Sequence, residues 1–132
     1  MLTSEEKKQY LNNGLKCLQQ GNFFNAHEDW EIPWKDMAGH VRSFWQAMIQ
    51  LSVGAYHYEN NNLTGCRNLW HKALKRCNEI IEQNLARDVQ YVIELRKHLI
   101  ECLRKVETGM NPLKDVERFS LEVVSESWFD FC

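Results

Sequence analysis

The chain has 132 residues, 44% of them hydrophobic and 11% aromatic, which is enough apolar material for one packed domain and excludes a disordered polymer. With 16 Lys+Arg against 18 Asp+Glu the formal charge is −2, so the basic footprint of a nucleic-acid binder is missing. Five scattered cysteines with no CxxC pair exclude a disulfide scaffold and a zinc ribbon, and read as reduced thiols of a cytoplasmic protein.

No basic stretch followed by an apolar run opens the chain, so no signal peptide is expected. The most apolar run, Phe44 to Tyr58, is broken by Gln46, Gln50 and His57 and is too short to span a bilayer. The expectation is one soluble domain over residues 1–132 with no membrane partner.

Hydrophobic spacing predicts an all-α fold of about five helices in an antiparallel bundle, a stack of helical hairpins with an extended C-terminal tail. Thr3 and Glu6 have capping-box spacing, and Leu11, Leu15 and Leu18 recur helically until Gly21. Asn22 is placed to cap a second helix carrying Phe23, Phe24, Trp30 and Trp34, with Pro33 ending or bending it. A third helix is expected from about His40 to Glu59, stopping at the Asn60-Asn61-Asn62 run. A fourth follows Thr64 with Cys66, Leu69, Trp70, Ala73, Cys77 and Ile80 on its apolar face, and a fifth runs from near Asp88 to Gly109.

Beyond Pro112 the helical pattern fades. Phe119, Leu121 and Val123 alternate as in a strand, but no second strand is there to pair with them. A short helical turn and an extended tail over 112–132 are therefore expected. Its apolar ending, Trp128-Phe129-Asp130-Phe131, should pack on the bundle or on a partner, which makes an oligomer through the tail conceivable. An internal echo is also present: Asn22, Ala26 and Trp30 superpose on Asn62, Cys66 and Trp70 at one offset. Each copy opens the second helix of a hairpin, a logic similar to that of tetratricopeptide repeats.

The segment richest in chemistry is Ala26-His27-Glu28-Asp29-Trp30-Glu31-Ile32-Pro33-Trp34. On a helix His27 and Glu31 share a face, Glu28 and Glu31 are three apart, and Trp30 and Trp34 flank them. Gln46, Gln50 and His57 form one stripe of the third helix. Antiparallel packing would bring those amides to His27 and Glu31, in a polar pocket between helices 2 and 3 walled by Trp30, Trp34 and Trp45.

The run Phe23-x-x-Ala26-His27-Glu28-x-Trp30-Glu31-x-x-Trp34 resembles the signature of the Domain of Unknown Function 309 family. The resemblance continues through Gln46-Ala47-Met48-Ile49-Gln50-Leu51-Ser52 and Asn61-Asn62-Leu63-Thr64-Gly65-Cys66. Ala47 and Asn61 stand where that family favours glycine. What the resemblance implies is an all-helical fold, and some members carry the label of a predicted metal-dependent hydrolase.

Three functions compete. A binding module would use His27, Glu31, Trp30, Trp34, Gln46, Gln50 and His57 to hold a small polar ligand, or the hairpin grooves to hold a peptide. A metal-dependent hydrolase would hold a divalent metal with His27, Glu31 and His57 and use Glu28 as base, although the zincin pattern needs a second His where Glu31 stands. In the third reading the same groups form a structural network that fixes helix register. Binding is the preferred expectation, and whether the protein is an enzyme stays open. No phosphate loop, nucleophile elbow or Cys–His signature occurs.

Overall fold

The computed structural model describes residues 2–83, 89–121 and 123. Among these there are six helices: α1 (Ser4–Gln19), α2 (Phe23–Trp34), α3 (Gly39–Glu59), α4 (Leu63–Glu82), α5 (Val89–Glu107) and α6 (Leu113–Arg118). No strand occurs among the described residues, so the all-α expectation stands. The Thr3 capping box is formed, with Thr3 accepting from the Glu6 amide and Glu6 accepting from the Thr3 amide. Asn62 caps α4 through the Gly65 amide at 3.0 Å. Asn22, by contrast, begins α2 without a side-chain cap bond. Pro33 sits one residue before the end of α2, where the helix can no longer propagate.

Three turns close in the same way. The Asn22 amide reaches back to the Cys17 carbonyl (2.8 Å), the Asn62 amide to His57 (2.8 Å) and the Met110 amide to Lys105 (2.7 Å). In each, the preceding residue is left-handed: Gly21 at φ 78°, Asn61 at φ 61°, Gly109 at φ 75°. This six-to-one closure satisfies the last carbonyls of a helix and reverses the chain. Thus α1–α2, α3–α4 and α5–α6 are three copies of one hairpin, the third with a truncated second helix.

The first two copies agree in detail. The Trp30 indole N–H donates to the Leu11 carbonyl at 3.0 Å, and the Trp70 indole to the Leu51 carbonyl at 2.9 Å. Each indole lies against a glycine of the first helix, Gly14 or Gly54. Both tryptophans are fully buried, so their only polar atom needs this acceptor. Helices pack in chain order from α1 to α5, and α6 touches α1, α3 and α5, the first helices of the three hairpins. One apolar core runs through the stack, from Leu11 and Trp30 to Leu99 and Phe119. No helix among the described residues is long and apolar enough to cross a membrane.

The core thiols are inert. Burial pushes Cys66, Cys77 and Cys102 from an ordinary 9.0 up to about 12. Unfolded chains lose these protons from about pH 9, whereas the fold keeps them to about pH 12. The folded state therefore binds more protons in that window, and stability falls as pH rises through it. The urea midpoint is expected to drop between pH 8 and pH 10, and replacing the three thiols by alanine should flatten that drop; an unchanged slope would remove burial as its cause.

The glycines give a test with an unambiguous sign. Helix propensity alone makes Gly→Ala stabilising by about 1 kcal/mol. A Cβ at Gly14 or Gly54 would lie 2.2 Å or 2.3 Å from the indole nitrogen, so Gly14→Ala and Gly54→Ala are expected to destabilise by about 1–3 kcal/mol. Chemical denaturation reads the difference, and a raised midpoint would contradict the close indole–helix approach.

Candidate functional site

The buried stripe of α2 is Phe23, Ala26, Trp30 and Pro33, which turns His27 and Glu31 toward its flank. Trp30 packs beside Trp45 with ring centroids 5.8 Å apart, and both are fully buried. These two indoles therefore fill the space between α2 and α3 instead of walling an open pocket there. Trp34 is half-buried. It donates to the Arg42 carbonyl at 3.1 Å, and the Arg42 guanidinium lies 3.8 Å above its ring.

The polar residues of the expected site are spread over a surface. Glu28 and Glu31 are exposed, while His27 and His57 are half-buried. His27 Nδ1 meets the Phe24 carbonyl of its own helix, and His57 Nδ1 faces Asn62 Nδ2 at 3.5 Å. Phe24 joins the two histidines through Tyr56: His27 to Phe24 at 4.7 Å, Phe24 to Tyr56 at 5.2 Å, Tyr56 to His57 at 6.3 Å between centroids. Neither Gln46 nor Gln50 is hydrogen-bonded to His27 or Glu31 among the described residues. No group of three or more His, Cys, Asp and Glu side chains is placed there to hold a metal, so His27, Glu31 and His57 are not gathered into one. Beside them the Cys17 thiol donates to Asp29 at 3.8 Å; burial and then the Asp29 charge push that thiol up, which makes it a poor nucleophile.

A different constellation lies on the side of the first helices. After α6 the chain turns extended at Phe119. Phe119, Leu121 and Val123 are buried while Ser120 is exposed. Asn12, midway along α1, grips both backbone groups of one residue: its Oδ1 accepts from the Val123 amide at 3.0 Å and its Nδ2 donates to the Val123 carbonyl at 3.1 Å. Phe119 meets His98 of α5 edge-on at 5.2 Å. Behind this segment α6 is tied to α5 through Lys105 and Asp115 at 2.5 Å, with both side chains largely buried. The Glu117 carboxylate lies over the Gly21 turn.

The hairpin register extends this surface to α3. Tyr10, Gln50 and His98 each stand seven residues before the carbonyl that closes their turn. They therefore occupy equivalent positions on α1, α3 and α5, the first helices of the three hairpins. Gln50 is buried, and its Oε1 has no hydrogen-bond partner among the described residues. The sequence reading included Gln50 but missed Asn12, His98 and the extended segment as a unit. The signal available was Leu11, Leu51 and Leu99, which hold the same register before the three turns. The apolar end Trp128-Phe129-Asp130-Phe131 lies outside the described residues.

No curated protein and no solved structure matches the chain. A family model does match residues 11–69, from Asn12's neighbour Leu11 through both hairpin turns to the residue before Trp70. Over that segment, which contains the His-Glu-x-Trp-Glu element, the chain is similar to the family described as Domain of unknown function (DUF309).

Proposed function

We propose that this protein is a peptide-binding module built from stacked helical hairpins, with the α1/α3/α5 side as its working surface. What supports the reading above all is the Asn12 clamp, which holds an extended backbone without reference to its side chain. Main-chain hydrogen bonds of this kind give affinity, and pockets for alternate side chains give specificity. His98 and the buried amide of Gln50 add polar groups at equivalent positions of α5 and α3, the few such groups a recognition surface needs. Hydrolysis, with His27, Glu31 and His57 on a divalent metal and Glu28 as base, has less support because those side chains are not brought together.

The test is selection from a displayed library of extended peptides with apolar residues at alternate positions. The bait is the full chain carrying Leu121→Ser and Val123→Ser, which loosens the segment already on the surface. Recovered peptides should lose on the order of tenfold in affinity when Asn12→Ala is added, as expected for removing hydrogen bonds worth about 1.4 kcal/mol. Failure to enrich any sequence, or indifference to Asn12→Ala, would overturn the proposal. Elemental analysis of the untagged protein runs beside it: a stoichiometric metal lost in His27→Ala would move the function to hydrolysis.

A further inference from the structure

We infer that the outer face of α2 and α4 is a contact between two copies of this chain, in which acids of α2 meet bases of α4. The two helices share one layer. Helix α2 packs on α1 and α3, helix α4 on α3 and α5, and α6 lies against α1, α3 and α5 on the other side. The face is therefore separate from the α1/α3/α5 side, and peptide binding there neither requires nor excludes the contact.

Charge is divided between the two helices. From Phe23 to Trp34, α2 carries Glu28, Asp29 and Glu31 and no Lys or Arg. From Leu63 to Asn78, α4 carries Arg67, Lys72, Lys75 and Arg76 and no acid. Glu28, Glu31, Lys72 and Lys75 are exposed, and no ion pair reaches them among the described residues. Glu28 with Glu31, and Lys72 with Lys75, are like charges three apart, which repel along a helix. An opposite charge brought from outside relieves both repulsions at once. One chain carries both halves of that complement, so two-fold pairing of identical copies uses each half twice.

The hairpin repeat supplies the register. Because Trp30 and Trp70 make the same bond to Leu11 and Leu51, α2 and α4 run in the same direction with corresponding residues at one level. A two-fold axis along the helices lays α2 over α4 of the partner subunit, level by level. Glu28 then faces Asn68 of the partner subunit. Glu31 faces His71 of the partner subunit, with the partner's Lys72 and the partner's Lys75 within about one turn. At the turn end Phe24, 44% exposed, comes level with Thr64 of the partner subunit, beside the partner's Leu63, a residue 41% exposed. Two helices of 12 and 20 residues are about 18 Å and 30 Å long and present on the order of 500 Å² per copy. That is close to the ~1,000 Å² total of the smaller specific interfaces, so the dimer is weak and salt-sensitive.

Sedimentation velocity of the untagged full chain over a concentration series is the test. A monomer–dimer equilibrium is expected at about 50 mM salt, weakened about tenfold or more at about 500 mM. Glu28→Lys/Glu31→Lys and Lys72→Glu/Lys75→Glu should each be monomeric alone, because each sets like charges against like. Mixed in equal amounts, the two variants should restore a one-to-one dimer. A monomer throughout, a dimer indifferent to either variant, or a mixture that stays monomeric would overturn the inference. Species that keep growing with concentration would mean head-to-tail pairing and would also overturn the closed pair. Should a variant fail to fold, carbodiimide coupling of mixed unlabelled and ¹⁵N-labelled unaltered chains decides. Glu31 is expected to join Lys72 or Lys75 of the other isotope, and absence of such inter-chain links would overturn the contact.

Discussion

A tryptophan in the middle of a buried helix face carries one N–H that cannot be left dry, and this chain solves that problem twice with the same geometry. Trp30 and Trp70 each reach across to a main-chain carbonyl of the preceding helix, Leu11 or Leu51, using a lone pair not needed by the helical ladder. The reach is possible only because a glycine, Gly14 or Gly54, lies under the indole. Hydrogen bond and close approach together fix the spacing and rotation of the two helices in a hairpin. The left-handed residue and six-to-one bond at each turn fix their reversal. Once α1–α2 and α3–α4 are set in this way, α2 packs on α3 and α4 on α5, leaving the remaining side of α1, α3 and α5 to be covered by the C-terminal segment.

This dependence explains what could be read from the sequence and what could not. Helix positions, the capping box and the all-α class are local properties of spacing and turn residues, and they were legible from α1 to α5. The polar pocket between α2 and α3 was a harder inference, because His27 and Glu31 sit one step off the buried stripe and Trp30 cannot line a cavity and fill the core at once. Whether that indole was satisfied depended on Gly14 in another helix, which no pattern within α2 reveals. The repeat was visible in Asn, a small residue and Trp. Its other marks, Leu11 with Leu51 and Gly14 with Gly54, lay at the same offset in the first helix. The third copy was hidden because its spacing from the second is longer and its second helix is cut to Leu113–Arg118.

Asn12 illustrates a different limit. An asparagine in a helix interior is unfavourable, since its side chain competes for backbone hydrogen bonds. That is a hint that the side chain has a task, but not where its partner is. The partner lies more than a hundred residues away and is a backbone, so it leaves no complementary residue type to find. The alternation of Phe119, Leu121 and Val123 did announce an extended segment. A helix side chain, rather than a second strand, supplies its pairing.

The energetics of that pairing bear on its use. Burying three apolar side chains is worth about 1.5–3 kcal/mol each, and the two Asn12 hydrogen bonds add about 0.5–1.5 kcal/mol each. Ordering five residues costs about 1–2 kcal/mol apiece for the backbone, with side-chain entropy on top. Gains of about 6–12 kcal/mol stand against a cost of similar size, the near-cancellation common to every part of a folded chain. The segment completes the core that the hairpins begin, since Phe119, Leu121 and Val123 belong to one buried cluster with Leu11, Trp30 and Leu99.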